Sequence, residues 1–475
     1  MDFLSEFKKR MKNGRVTVIG IGVSNLPLIY KLAEKGAKVS ARDKKSYAEL
    51  PVAPELEKMG VKLILGDAYL DNIDEDVIFR SPGIRPDVKG IREATERGAL
   101  LTSEMELFFE LTPATTFAVT GSDGKTTTTT LAYKMLDAET NKKGAGNVYV
   151  GGNIGAPLLP LVDKMTKDDF AVLELSSFQL QTMHRSPMRA VITNVTPNHL
   201  NWHTGMDEYV DAKRNICRYA PIEHLTVNAE NEITARIGAE SDIPVTFFSS
   251  KRSDFSEITG GKGGATAIFE KDGYITYSDG KTEKKVIKTD DILLPGRHNV
   301  ENYMAAISLT WGYVGFDTID DIAKNFGGVE HRLELVRTFE GVKYYNSSID
   351  SSPTRTAAAL SALREKPITI CGGYDKNIPF APLAKALCDR AKAVVLTGAT
   401  AEKIEKALSE CPDFDPEKLT VKIEKDFDRA VSEAKNMAES GDTVLLSPAC
   451  ASFDAFPNFA ERGKHFKELV NSFGK

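Results

Sequence analysis

Short β-branched runs alternate with helix-length amphipathic stretches along most of the chain. Val16–Ile19 is followed by a glycine turn, a helix-patterned stretch Leu28–Lys35, a stop at Gly36 and a second strand-like run, Lys38–Ala41. Strand, crossover helix and strand within about 30 residues make a βαβ unit, whose two strands run parallel. Val61–Leu65 and Asp76–Phe79 continue the alternation, and Leu111-Thr-Pro-Ala114 reads as a linker. A second block opens with the strand Thr116–Thr120, the tight loop Gly121–Lys125 and the helix Thr126–Leu136. That helix begins with five consecutive threonines, Thr126–Thr130, which are only moderate helix formers. Ala171–Leu175 and Ala190–Val195 are near-continuous apolar runs of the kind found in parallel sheets covered on both faces.

Residues 245–295 read differently. Gly260–Gly264, Asp272-Gly273 and the alternating Tyr274–Tyr277 predict an antiparallel meander. After Gly327-Gly328 the strand–helix alternation resumes. Pro367–Ile370, Ala393–Leu396, Leu419–Ile423 and Thr443–Leu446 are the expected strands, with helices at Ala401–Leu408 and Asp428–Met437 between them. The pattern predicts an α/β protein in three alternating blocks, which suits a chain of 475 residues.

Composition narrows the function classes. With 61 basic and 67 acidic residues the net charge is −6, a poor match to nucleic acid or an anionic membrane surface. No apolar run reaches the length of a membrane span. Met1–Lys12 is charged and amphipathic and lacks the apolar core of a signal peptide. The five cysteines, Cys217, Cys371, Cys388, Cys411 and Cys450, are odd in number and lack C-x-x-C spacing. They argue against a disulfide framework or zinc ribbon and for reduced thiols in the cytoplasm.

Candidate chemistry concentrates at strand ends. Thr120-Gly-Ser-Asp-Gly-Lys-Thr-Thr127 lies between a strand and a helix, where backbone N–H groups can approach phosphate oxygens. Lys125 would reach the β- and γ-phosphates and the Thr126 hydroxyl would sit on Mg²⁺. The usual first glycine of such a loop is replaced by Val119, so the loop is a shortened form. Glu174 ends an apolar strand, where a carboxylate is costly unless paired or metal-bound. His199 follows the next strand and is expected on the same edge; each alone is a weak metal signature, and Lys213 alone reads as a solvated lysine. Asn299 and Asn302 share a helix face, with helix capping by Asn299 an equal reading. Gly20-Ile-Gly22-Val-Ser-Asn25 with Asp43 is an incomplete dinucleotide fingerprint, Asn25 standing at its third glycine.

Together these pieces resemble the Mur ligase family across essentially the whole chain, and within it the D-glutamate-adding member. The markers are Thr120–Thr127, Glu174–Leu180, Asn198-His199, Gly296–Asn302, Glu330-His-Arg332 and Ser447–Phe453 continuing to Arg462-Gly463. The resemblance implies three domains: a Rossmann-like UDP-binding domain (1–110), a central P-loop ATPase domain with a parallel sheet plus a small antiparallel sheet (111–328), and a Rossmann-like amino-acid-binding domain (329–475). The implied reaction is ATP-dependent amide formation between UDP-MurNAc-L-Ala and D-glutamate through an acyl phosphate, in peptidoglycan precursor synthesis by a cytoplasmic monomer.

Carried over residue by residue, Lys125, Glu174, His199 and Lys213 are catalytic. Gly121, Ser122, Asp123, Gly124, Lys125, Thr126 and Thr127 bind ATP with Asn299, Asn302 and Arg332, and His331 also faces the nucleotide. Two Mg²⁺ ions are implied, one on Thr126 and Glu174, the other on Glu174, His199 and a CO₂-carbamylated Lys213. Val23, Ser24, Asp43, Ser81, Pro82, Gly83, Asn153 and His199 take the UDP-sugar, and Ser351, Lys376, Ser452 and Phe459 take D-glutamate. Three positions depart from the family: Ser347 and Ile349 of Asn346-Ser-Ser-Ile349 stand where relatives have the Asp and Lys of Asn-Asp-Ser-Lys, with Asp350 as the candidate substitute carboxylate, and Asp123 replaces Asn. The competing classes are a non-catalytic UDP-sugar-binding relative and, from Gly20–Asn25, a dinucleotide-dependent oxidoreductase.

Overall fold

The computed structural model describes residues 14–200, 202–258, 266–376 and 378–474; Met1–Lys12 and Gly260–Gly264 lie outside them. The chain divides into two compact units, Met1–Thr289 with Val300–Ile322, and Asp290–Asn299 with Ala323–Lys475. The first holds two sheets and the second holds one.

The first sheet is five-stranded and all parallel, in the spatial order Lys62–Leu65, Lys38–Asp43, Arg15–Ile19, Val77–Arg80, Leu100–Thr102. Winding reverses between Arg15–Ile19 and Val77–Arg80, a switch point at which ligand crevices open beyond the strand ends. The crossover helix Leu26–Glu34 buries Leu28, Ile29 and Leu32 on one stripe and stops before Gly36, whose φ of +78° favours a residue without a Cβ.

The second sheet has nine strands, in the order Glu283–Lys288, Tyr274–Ser278, Thr266–Lys271, Val245–Ser249, His224–Asn228, Arg189–Ile192, Thr115–Thr120, Phe170–Glu174, Val148–Gly152. The meander is antiparallel as expected, but it extends the parallel sheet rather than forming a sheet of its own. Thr266–Lys271 pairs parallel with Val245–Ser249 and antiparallel with Tyr274–Ser278. The threonine-rich helix runs over Lys125–Lys143 and ends at Gly144, φ +66°, whose N–H returns to the Thr140 and Asn141 carbonyls. Thr128 and Thr129 are fully buried, so packing overrides their modest helix propensity.

In the second unit, Glu334–Phe339 pairs antiparallel with Val342–Asn346. Thr443–Leu446, Ile368–Gly372, Ala393–Thr397 and Thr420–Ile423 then follow in parallel. Among the described residues no helix is long and apolar enough to cross a membrane.

Candidate active site

Strand Thr115–Thr120 is held between Phe170–Glu174 and Arg189–Ile192, so its phosphate-type loop, Glu174 and the His199 segment all leave the same edge. Val119 is a fully buried strand residue whose carbonyl accepts from Leu175 N–H at 2.9 Å. The loop therefore begins at Gly121, which explains the shortened motif. A Cβ on Gly121 would lie 1.9 Å from Thr193 Oγ1, and one on Gly124 would lie 2.4 Å from Asn302 Oδ1. Both glycines also have positive φ, so close approach and conformation each require them.

Ser122 and Asp123 do not turn their N–H groups outward. Each donates to Asn194, at its carbonyl and its Oδ1 respectively, both at 2.9 Å. Ser122 Oγ bonds Thr196 and Tyr209 Oη (3.0 and 2.9 Å). These two residues shape the loop from inside. The N–H groups that lack intrahelical acceptors, and so could meet an anion, are those of the first turn of helix Lys125–Lys143, with Thr126 and Thr127. Lys125 Nζ donates to Ser122 O at 3.0 Å, and Asn302 Oδ1 accepts from Thr128 Oγ1 at 3.3 Å.

Glu174 is buried; one carboxylate oxygen accepts from Asn153 Nδ2 at 2.7 Å, and Oε2 has no partner among the described residues. Lys213 is also buried, on helix Met206–Arg214, and its Nζ donates to Gly121 O at 2.7 Å and lies 4.7 Å from the Tyr209 ring centre. Burial and the Lys125 charge hold the Lys213 ammonium well below the usual lysine range, against the opposing pull of Asp123 and Glu174. His199 is exposed with a φ of +54°, and burial of its ring together with Lys125 and Lys213 lowers its pKa. The four side chains expected to be catalytic thus form one electrostatic cluster.

An orphaned carboxylate oxygen at the strand edge from which the glycine loop leaves is the donor chemistry Mg²⁺ takes, completed by substrate phosphates. Among the described residues no three His, Cys, Asp or Glu side chains form a protein-only metal cage. Mg²⁺ typically does not require one.

At the switch point of the first sheet, Gly20 has a φ of +93° and its Cβ would lie 2.8 Å from Ser81 Cβ, so the two loops touch. Asp43 braces the first of them, accepting from Ile21 N–H at 2.7 Å, and also accepts from Lys45 N–H at 2.9 Å. Asn25, at the third-glycine position, is buried and its Nδ2 donates to the Ile19 and Gly20 carbonyls, both at 3.1 Å. A side chain fills the place where a dinucleotide fold needs bare backbone, which counts against the oxidoreductase reading. Val23, Ser24 and Pro82 line a cavity with Gly152 and Gln179, beside Asn153; Gly83 and Ser81 belong to the same loop.

Glu104 also lines that cavity, and its Oε1 is buried without a partner among the described residues. Burial raises its carboxyl from 4.5 to about 7, against the opposing pull of the Leu159 N–H. The folded state keeps this proton where an unfolded glutamate has lost it. The associated stability, about 3 kcal/mol, is present below pH 4.5 and is lost as pH rises through 7. Glu104→Gln removes the titration. Denaturant unfolding should show the variant more stable than the parent at pH 8.5 and nearly equal at pH 4.5; parallel curves at both pH values would refute the assignment.

In the second unit Ser351, Lys376 and Ser452 lie on loops after Val342–Asn346, Ile368–Gly372 and Thr443–Leu446, and Phe459 opens helix Phe459–Ser472. Lys376 is exposed, Ser351 half-buried and Ser452 buried. Arg332 is exposed, while His331 is buried with Nδ1 2.9 Å from Asn346 Nδ2 and Gly463 packed on its ring. His331 therefore supports the fold where a nucleotide-facing side chain was expected. Asp350 is also turned inward, accepting from Ser447 Oγ at 2.8 Å, so it does not replace the missing exposed carboxylate. Asn299 is not an N-cap: it lies within helix Arg297–Leu309 and its Nδ2 donates to Pro295 O at 2.7 Å. The residue that motif reading left without a role is Arg462. Its buried guanidinium meets Ser348 Oγ and the Ser348, Cys450 and Ala451 carbonyls at 2.9–3.1 Å.

Residues 119–310 match the Mur ligase middle domain, and residues 331–450 match the Mur ligase glutamate ligase domain. The UDP-N-acetylmuramoylalanine–D-glutamate ligase of Acetivibrio thermocellus is 48% identical, over 99% of this chain and 98% of that relative. The Clostridium novyi protein of the same name is 46% identical, over 98% of this chain and 99% of its own. The crystal structure of the UDP-N-acetylmuramate-alanine ligase MurC from Thermotoga maritima shares the fold, with a TM-score of 0.53 at 19% identity, covering 96% of this chain and 99% of that one. The chain belongs to the Mur ligase family.

Proposed function

We infer that this protein is the ATP-dependent ligase that joins D-glutamate to UDP-N-acetylmuramoyl-L-alanine in peptidoglycan precursor synthesis. Near-half identity over the full length to relatives of that name supports it. The geometric observation that carries it is the buried Glu174 carboxylate, with an orphaned oxygen, facing the same cluster as Lys213 and the phosphate loop.

In this reading the terminal carboxylate of the UDP-sugar attacks the γ-phosphorus of ATP and ADP leaves. The D-glutamate amine then adds to the acyl phosphate carbon, and the tetrahedral intermediate expels phosphate. A transferring phosphoryl group spreads negative charge, so fixed cationic and N–H groups contribute most to its stabilisation. Lys125 and the first turn at Thr126 and Thr127 supply these groups. Thr126 and Glu174 would hold one Mg²⁺ ion, and Glu174, His199 and Lys213 a second; bound there, the ions neutralise phosphate charge.

Lys213 would be carbamylated by CO₂, which turns the amine into an anionic oxygen donor; the burial that disfavours its ammonium supports this reading. The UDP-sugar would occupy the crevice of Val23, Ser24, Asp43, Ser81, Pro82 and Gly83, with Asn153 and His199 toward its muramoyl end. Asn299, Asn302 and Arg332 would serve ATP. Ser351, Lys376, Ser452 and Phe459 would serve D-glutamate, whose two carboxylates need donors and a cation. The domain division 1–110, 111–328 and 329–475, a cytoplasmic location and a monomeric state belong to the same proposal.

A coupled phosphate-release assay tests it. Release should require UDP-MurNAc-L-Ala, ATP and D-glutamate together. Equal rates with L-glutamate would refute the stated specificity, and UDP-sugar binding without turnover would point to a non-catalytic relative.

A further inference from the structure

The loop Ser81-Pro82-Gly83 is bracketed by two arginines, and each grips a different element of the reaction cluster. Arg80 is almost fully buried. Its Nη2 donates to Phe178 O at 2.9 Å and Thr182 Oγ1 at 3.1 Å, in the segment that follows Glu174, while Nη1 holds the Ser81, Pro82 and Ile84 carbonyls of its own loop. Arg85 forks. It meets Asp87 at 2.8 and 2.9 Å, and reaches across to Glu208 Oε1 at 3.1 Å and to the Trp202 carbonyl.

Glu208 is a hub. It also accepts from Gln181 Nε2 at 2.6 Å and from Thr204 N–H, and lies 3.7 Å from His203 Nδ1. The segment it fastens begins at His199, whose carbonyl accepts from Trp202 N–H (2.9 Å) and His203 N–H (3.0 Å). His199 has a φ of +54°, a conformation that persists in a non-glycine residue only when its surroundings hold it. Phe178 completes the circuit, stacked on His203 at 5.7 Å and edge-on to His199 at 4.9 Å.

We propose that Arg85 and Glu208, with Arg80, are positioning residues that couple occupancy of the UDP-sugar crevice to the placement of His199 at the phosphate loop. The inference rests on the functional reading above. A partly exposed ion pair contributes only about 0–1 kcal/mol to stability, so stability is not its purpose here. The planar guanidinium fork fixes geometry instead, and a shift of the Ser81–Gly83 loop would carry Glu208 and the His199 turn with it.

Calorimetry tests this through linkage. The affinity for a non-hydrolysable ATP analogue with Mg²⁺ is measured with and without saturating UDP-MurNAc-L-Ala, for the parent protein, Arg85→Gln, Glu208→Gln and the double variant. The parent should show coupling of about 5-fold or more. Each single variant should lose most of it, the double variant should lose no more than either single, and each ligand alone should bind nearly as before. Arg85→Lys keeps the charge without the fork and should fall between. Melting curves check that every variant is folded. Parent-like coupling in the single variants, or none in the parent, would overturn the proposal while leaving the ligase assignment intact. Failure of the parent to bind UDP-MurNAc-L-Ala would overturn the functional reading and this inference with it.

Discussion

Replacing Lys213 by alanine should cut phosphate release by about 10²–10³-fold, the scale seen when one preorganised electrostatic group is removed. Lys213 is 2% exposed and donates to the Gly121 carbonyl, and among the described residues no carboxylate is in ion-pair contact with it. Burial makes the charged amine unfavourable, and Lys125 adds repulsion. If Lys213 reacts with CO₂, it presents anionic oxygens in place of the ammonium that burial disfavours. If a carbamate acts at this place, acetate or propionate should restore part of the alanine variant's rate, and Lys213→Met should lose activity without rescue. Carbon NMR of protein equilibrated with labelled bicarbonate should show a carbamate resonance in the parent that is absent from Lys213→Ala. Full activity in the variant, or an unlabelled parent, would remove the carbamate from the mechanism.

The sequence revealed most of this cluster because backbone periodicity fixes strand ends. Thr115–Thr120, Phe170–Glu174 and Arg189–Ile192 were each legible as β-branched or apolar runs within a residue or three of their ends. In a parallel sheet, knowing three strand ends places Gly121, Glu174 and the His199 segment on one edge without further information. Strands with weaker patterns escaped. Val148–Gly152 ends in two glycines, His224–Asn228 is polar at both ends, and Val245–Ser249 was absorbed into a region read as antiparallel.

What the pattern could not supply was the direction in which a polar side chain turns. Ser122, His331 and Asp350 look like ligand residues by position, yet each is committed to an internal partner. Arg80, Arg85 and Arg462 look like surface charges, yet each joins loops distant in sequence. Hydropathy marks arginine as solvated, and only tertiary structure reveals the carbonyls around it.

Arg462 carries the second large expected effect. Its five N–H donors meet four acceptors on two loops, and Ser348 Oγ passes the connection on to the Phe459 carbonyl at 2.7 Å. Tyr374 N–H also ends on the Ala451 carbonyl, at 2.9 Å, which ties in the loop that carries Lys376. Burial lowers the guanidinium only to about 10, so it stays charged at neutral pH. Arg462→Met would leave the buried Ser348 and Cys450 carbonyls without a donor and the Ala451 carbonyl with only Tyr374 N–H, at a cost of about 3–5 kcal/mol. Lysine keeps the charge but offers one point donor in place of a planar fork, so Arg462→Lys should recover only part of the loss.

If the guanidinium serves stability alone, folded variants should be kinetically normal. If it also sets the D-glutamate loops, the KM for D-glutamate should rise at least about tenfold in Arg462→Lys, the kinetic equivalent of one lost hydrogen bond to a charged group. The KM values for ATP and UDP-MurNAc-L-Ala should meanwhile change little, because their proposed contacts lie mainly on other loops. Unchanged unfolding and an unchanged D-glutamate KM would together refute the role. A selective rise in that one KM would show that Ser351, Lys376, Ser452 and Phe459 depend on a single buried cation for their mutual placement.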